Sequence, residues 1–358
     1  MTMENSAKAA IPQKADGRGL RTVVMTLGVL AALVVSVLAA VLYGTADLTV
    51  ETVIDVLKLK ILGIETAGLS DSSVQIVWNL RMPRAILAIA AGGGLAISGA
   101  AMQAITQNEL ADPYILGVSG GASAMASLAF FLGGVFASTV FVQVFAFSGA
   151  IIALFLVYSI GVTNGGGNGA RLVLAGMAIS IVMNAISQMF ITLSSTNTTR
   201  SITMWLMGSL SSARWETIVV PLIICLAGLV FFILFSRAYD LVSLGDETAI
   251  GLGVNAAQLK RLTGVAVALV SGIVVSACGV IGLVGFVIPH IVRIILGSSH
   301  RRLFPVSFLV GSLFLIWVDL LARFVMAPQE VPIGIFTALC GGPFFVWLLY
   351  RQTHAGRK

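Results

Sequence analysis

Apolar residues in this chain come in long runs, each closed by a short polar or basic stretch. A helix needs about 20 apolar residues to cross a bilayer, so each such run predicts a membrane-spanning helix. The first, "TVVMTLGVLAALVVSVLAAVLYG", covers residues 22–44. It exceeds the roughly 7–15 residues of a secretory h-region, so the pattern predicts an uncleaved first helix behind a polar tail at 1–20. Further spans are predicted at 83–103, 113–133, 140–161, 171–194, 216–236, 262–280, 283–297, 306–326 and 333–350. The expectation is an all-α polytopic membrane protein with about ten transmembrane helices. The transmembrane domain covers 21–352, followed by a tail at 353–358.

Three segments depart from the plain pattern. "VIGLVGFVIPHIVRIILGSSHRR" (280–302) is glycine-studded and carries Pro289, which predicts a broken or short helix whose backbone neighbouring protein must satisfy. Residues 45–80 are polar enough to hold a short amphipathic segment outside the spans. The loop 237–261 is longer than a connector needs. Gly245, Gly251 and Gly253 interrupt helix-forming residues there, which predicts two short helices beside the membrane. In the second span, Ala88, Gly92, Ala96 and Ala100 recur every four residues. Such a stripe lets helix backbones approach closely, the usual basis of helix association in lipid.

Composition agrees. Of 358 residues, 58% are hydrophobic and only 10% charged, with mean hydropathy +1.02. Soluble domains carry about 25% charged residues, so no water-facing surface can be made from these. The net charge of +6 is spread between spans and forms no basic patch with interleaved aromatics, which argues against nucleic acid. With the N-terminus inside, Lys8, Lys14, Arg18, Arg21, Arg171, Arg237, Lys260, Arg261, Arg293, Arg301, Arg302, Arg351, Arg357 and Lys358 face the cytoplasm. Lys58, Lys60, Arg81, Arg84, Arg200, Arg214 and Arg323 face outward. That two-to-one bias follows the positive-inside rule and puts both termini in the cytoplasm.

Candidate chemistry is sparse. No GxxxxGK[ST] or HExxH occurs, and "NGGGNGA" at 164–170 lacks the lysine of a phosphate loop and reads as a turn. Cys225, Cys278 and Cys340 are isolated in apolar segments, without metal-ligand or redox spacing. On the fifth span Ser180, Asn184, Ser187, Gln188, Thr192 and Ser195 recur at helical spacing. Unpartnered polar groups are costly in lipid, so this face meets either other helices or a passage for a polar solute. Asp319 and Arg323 are spaced to pair on one helix face. Arg81, Arg84 and Arg323 oppose the inside bias; they either anchor to lipid headgroups or receive carboxylates from a docking partner.

These blocks together resemble a family. "RMPRAILAIAAGGGLAISGAAMQAITQNELADPYILGVSGGA", "RSITMWLMGSLSSARW", "LGDETAIGLGV", "GVIGLVGFVIPHIVR" and "EVPIGIFTALCGGPFFVWLL" occur in the order seen in FecCD-type permeases. This group supplies the membrane subunit of type II ABC importers for ferric siderophores, haem and cobalamin. The resemblance covers about residues 20–352. Val280 and Leu283 stand where the family commonly has proline and phenylalanine, a departure that bears on local helix geometry.

The resemblance implies a transport subunit of the inner (cytoplasmic) membrane without its own ATPase site, importing an iron chelate by alternating access. A ferric siderophore is the first choice of cargo, with haem or cobalamin as the alternative. An ion-coupled secondary carrier is the rival class, for which Asp319 alone could serve as the carboxylate. The implied partners are two ATP-binding subunits, a second permease copy forming a homodimer, an extracytoplasmic substrate-binding protein and membrane lipid. This chain is expected to bind no cofactor or metal, with ATP and Mg held by the partner. Leu244, Gly245, Asp246, Glu247, Ala249, Leu252 and Gly253 are implied to couple to the ATPase. Arg81, Arg84 and Arg323 are implied to receive the binding protein, and Ser180, Asn184, Ser187, Gln188 and Thr192 to border the translocation path. His290 is read as a structural histidine.

Overall fold

A computed structural model describes residues 17–355, except 45, 47, 65–68 and 162–168. The tail residues Lys8 and Lys14, most of the glycine-rich turn and the terminal Arg357 and Lys358 lie outside the described residues. The described residues form helices and connecting turns, with no strand among them. Among the described residues, eight helical stretches are long and apolar enough to cross a membrane, and two shorter apolar helices lie at Val284–Leu296 and Ile333–Leu348. These ten correspond one to one with the predicted spans.

The long helices are α1 (Gly17–Leu42), α4 (Met82–Thr106), α5 (Val118–Gly133), α6 (Thr139–Gly161), α7 (Gly169–Leu193), α9 (Trp215–Leu234), α12 (Ala256–Cys278), α14 (His300–Phe324) and α15 (Ile333–Ala355). Shorter ones are α2 (Val50–Leu57), α3 (Asp71–Val74), α8 (Thr196–Leu206), α10 (Ser236–Val242), α11 (Asp246–Gly251) and α13 (Val284–Leu296). Boundaries moved where turn chemistry overrides hydropathy. The predicted span at 113–133 starts late, because Asp112 caps a 3-10 turn at Pro113–Leu116 and Gly117, at φ +76°, redirects the chain into α5. The polar, threonine-rich α8 has no apolar run to announce it.

Helix α4 is the axis of the fold. It packs against α14, α9, α12 and α13, while α5, α6 and α7 pack on one another and join through α12. From Pro83 to Ile105 nearly every residue of α4 is buried. Its small residues make this density possible. A Cβ on Gly92 would lie 2.2 Å from the carbonyl oxygen of Gly311 on α14. One on Gly99 would lie 1.7 Å from that of Gly285 on α13. The predicted stripe of Ala88, Gly92, Ala96 and Ala100 is therefore a packing seam, buried throughout. Outside it, α1 shows Val23, Val24, Leu27, Val34 and Val35 on its surface, an apolar face suited to lipid.

The segment at 280–302 resolves into a break and a short helix. Pro289 lies inside α13 without ending it; the interruption is earlier, at Gly279–Leu283, where Gly279 and Leu283 have φ of +73° and +69°. Neighbouring segments supply hydrogen bonds here and beside it. Ser209 N donates to Cys278 O (2.8 Å), and Tyr114 Oη donates to Ile281 O (3.1 Å). Ile333 N and Gly334 N donate to Gly208 O and Met207 O, each at 3.0 Å. Irregular backbone within an apolar bundle is tolerated because its polar groups are paired in this way.

At the end of the bundle where α4 begins, charge replaces small-residue packing. Arg81, Arg84, Asp319 and Arg323 are 6%, 8%, 2% and 7% exposed. Arg84 Nη2 and Arg323 Nη2 reach the two Asp319 oxygens at 2.8 and 3.1 Å, and Arg84 Nη1 reaches Glu330 Oε1 at 2.7 Å. Arg81 donates to the carbonyls of Val41, Leu42 and Ala46, and Arg323 to that of Ala40. The last turn of α1, whose carbonyls have no partner within the helix, is thus closed by guanidinium groups.

Three outcomes are expected. Gly99→Val should abolish monodisperse protein in detergent, whereas Gly28→Ala, with nothing within 4 Å, should not; size-exclusion profiles compare them. Asp319→Asn leaves two buried guanidiniums short of charge and should cost about 3–5 kcal/mol, against under about 1 for Glu330→Gln at the rim, read by thermal unfolding. The third concerns the half-buried Asp112, in the loop between α4 and α5. Burial pushes its carboxyl up to about 6, outweighing the bond from Tyr114 N. The unfolded chain ionises first, so stability falls as pH rises from about 4 to about 6 and is flat above. Acidifying from pH 7.5 to 5 should therefore add about 1 kcal/mol, a gain that Asp112→Asn removes.

Candidate functional site

Two regions gather the residues that sequence reasoning singled out. The first is the exposed side of α7. Ser187 is buried, and its Oγ lies 2.7 Å from Ser127 Oγ on α5, so this member of the stripe is an interhelical hydrogen bond. Asn184, Gln188 and Thr192 are exposed and Ser180 is half-buried. Thr192 Oγ1 donates to Gln188 O (2.9 Å) within the helix. The two readings of the stripe thus divide between its members. Ile181, Val182, Met189 and Leu193 are also exposed on α7, and Leu339, Val346 and Trp347 on α15. Carboxamides at Asn184 and Gln188 would be poorly solvated by lipid, so this face calls for protein or an aqueous passage.

Beside the backbone break lies an apolar cavity of about 370 Å³, lined by residues that include Met207, Val280, Leu283, Gly334 and Thr337. The left-handed Leu283 is accommodated by Gly341 of α15, where a Cβ would meet the leucine side chain at 2.6 Å. Leu283 therefore holds a strained conformation that β-unbranched side chains reach at a cost of about 1–2 kcal/mol.

The second region lies at the opposite end of α4. The loop 237–261 forms α10 and α11, the two short helices expected, while its last residues open α12. Gly245, at φ +123°, turns the chain between them, and Gly253, at φ +86°, turns it out of α11. Ala249 is fully buried and anchors α11, whereas Leu244, Ile250 and Leu252 are 71%, 63% and 63% exposed. Glu247 and Gly253 are exposed as well. Asp246 pairs with Lys260 Nζ at 2.5 Å, and Gln107 Nε2 donates to Val242 O at 3.0 Å. The loop is fixed to the bundle from beneath and presents apolar side chains outward. Sequence reasoning missed Ile250, whose spacing from Leu252 was the available signal.

Arg81, Arg84 and Arg323 are at the α4 N-terminal end, across the bundle from this loop, as their sequence positions require. Their side chains are internal, spent on α1 carbonyls, Asp319 and Glu330, and are not laid out on the surface as docking groups or lipid anchors would be. Also missed was a pairing near the 237–261 loop: His300 Nδ1 lies 2.7 Å from Asp240 Oδ1, joining α14 to α10. His290 Nδ1 is 3.4 Å from Glu109 Oε2 and its ring stands 6.0 Å from that of Phe344, inside the packing of α13 on α15. Among the described residues no group of three or more His, Cys, Asp or Glu side chains could hold a metal ion.

The comparisons with known proteins agree with this geometry. Residues 32–351 match the FecCD transport family. The cobalamin import system permease protein BtuC of Halobacterium salinarum is 39% identical over 282 residues, 79% of this chain and 75% of that one. The hemin transport system permease protein HmuU of Yersinia pestis is 37% identical, over 79% and 85% of the two chains. The Fe(3+)-citrate import system permease protein YfmD of Bacillus subtilis is 36% identical, over 76% and 80%. A solved structure described as an inward-facing conformation of a putative metal-chelate type ABC transporter superposes with a TM-score of 0.79 at 29% identity, covering 91% of this chain and 98% of that one. With the match running through nearly every span, this chain belongs to the FecCD transport family.

Proposed function

We propose that this chain is the permease subunit of an ATP-driven importer in the cytoplasmic membrane, carrying an iron chelate inward, with a ferric siderophore as the first choice of cargo. It is a transport subunit, and ATP hydrolysis lies on a separate subunit, as family membership implies. The observation that carries the reading is α11: apolar side chains face outward on a loop otherwise clamped to the bundle. Such a surface suits a groove on a cytoplasmic ATPase. Closure of two ATPase subunits would press on Leu244, Ile250 and Leu252, and the clamp would pass the load to α4 and α12. Both termini then lie in the cytoplasm, and a binding protein delivers cargo at the arginine-rich end.

The exposed face of α7 supports a second permease copy across it, with Asn184, Gln188 and Thr192 bordering the path between the two. Their neutral polarity suits chelates that differ in charge. The relatives named for cobalamin and hemin keep those cargoes as the alternative. The ion-coupled carrier loses its support, because Asp319, its one candidate carboxylate, is held by two arginines.

In a strain lacking this chain, uptake of one labelled cargo among ferric citrate, ferric hydroxamates, haem and cobalamin should be lost and restored by the gene. Leu252→Asp should reach the membrane at normal level and restore less than about a tenth of it, since a charge at the centre of an apolar contact costs at least about 1.4 kcal/mol. Uptake that survives collapse of cellular ATP would overturn the assignment.

A further inference from the structure

Beside the segment that leads from α10 into α11 lies a cavity of about 480 Å³ with polar lining residues, separate from the apolar one. Its lining includes Gln103 of α4, Glu109 in the following loop, Asp240 and Ser243 of α10, Arg293 of α13 and His300 of α14. Leu244, the most exposed apolar residue of the coupling loop, is at its rim, so the cavity is continuous with the surface assigned to the ATPase.

Two carboxylates and a buried amide oxygen face the cavity. Gln103 is 3% exposed; its Nε2 donates to Phe286 O, and its buried Oε1 has no partner. Asp240 commits Oδ1 to both the amide and the ring of His300. Glu109 is 52% exposed, and its oxygens stand 3.4 and 3.6 Å from His290 Nδ1 and Arg293 Nη1, too far for firm hydrogen bonds. Two carboxylates, Glu109 and Asp240, thus face one arginine and His300, in a protein whose formal charge is +6. A buried amide oxygen without a donor is the kind of group that a native structure fills with something. Two carboxylates beside an unpartnered amide oxygen complement an organic cation that brings several N–H donors.

We infer that this cavity is a socket for a basic side chain, lysine or arginine, of the ATP-binding subunit, which enters beside Leu244 and is received by Glu109, Asp240 and Gln103. The inference rests on the coupling role proposed for α11 and adds to it. The apolar residues of α11 grip the ATPase, while the socket sets its register, since a buried charge pair fixes orientation more sharply than apolar contact does. The socket spans α4, α10, α13 and α14, so an occupant there touches four helices of the bundle at once.

The test is association of the purified ATP-binding subunit with the full permease in nanodiscs, measured at two salt concentrations. Glu109→Gln with Asp240→Asn keeps the shape and the hydrogen bond to His300 but removes the charge. It should raise Kd about tenfold and flatten the salt dependence, while Glu109→Asp, which keeps the charge, stays within about threefold. If the double variant binds with unchanged Kd and salt dependence while Leu252→Asp weakens binding, the cavity is a solvated niche and the inference falls, with the coupling surface intact. If Leu252→Asp also leaves Kd unchanged, the coupling reading fails and the socket with it.

Discussion

The close approach of α4 to its neighbours is the contact on which the rest depends. In lipid no hydrophobic force draws apolar helices together, so association must come from van der Waals contact at short range and from paired polar groups. Glycines at 92 and 99 let α4 meet α14 and α13 at distances that a methyl group would forbid. Once α4 is enclosed, its two ends are fixed in opposite settings. One is held by arginines and Asp319, and the other by Gln107 against the loop that leads into α11.

Charge at the first end is used for structure. A buried carboxylate shared by two guanidiniums costs desolvation, and is retained only where geometry is good and remaining donors are satisfied. Here Arg323 donates to Ala40 O in the last turn of α1 and Arg84 reaches Glu330, so one network ties three helices and the 325–332 loop. Glu330 alone of this group is substantially open to solvent. The pair Arg84–Glu330 is therefore the point where the network can exchange a partner, the others being enclosed.

Much of the fold was legible because hydropathy and length decide a spanning helix almost alone, and the small-residue stripe of α4 announced its packing. Where the reading slipped, local chemistry had overridden the pattern. Asp112 and Gly117 delayed α5, and the first half of α8 is polar. The site was less legible. Sequence placed Arg81, Arg84 and Arg323 at the correct end, but whether a guanidinium faces solvent or a carbonyl depends on α1, which is some 40 residues from Arg81 and 280 from Arg323. Likewise Ser187 differs from Asn184 only by which helix lies opposite. The Asp240–His300 pair joins residues 60 apart, with no spacing that would reveal it.

The break at Gly279–Leu283 has a mechanical meaning once its position in the chain is considered. Helix α12 starts just after α11 and runs unbroken for 23 residues, a rod of about 34 Å. A hydrogen-bonded rod transmits an axial load with little compression. The first irregular backbone beyond it is the break at Gly279–Leu283, which follows Cys278, whose carbonyl accepts from Ser209 N, and adjoins the apolar cavity. Under the proposed coupling, α12 would act as a pushrod whose far end meets this break, and Val280, Gly282 and Leu283 of the break also line the cavity. On the role proposed for α11, a push from that end would reach the wall of this cavity before any other irregular backbone along the path.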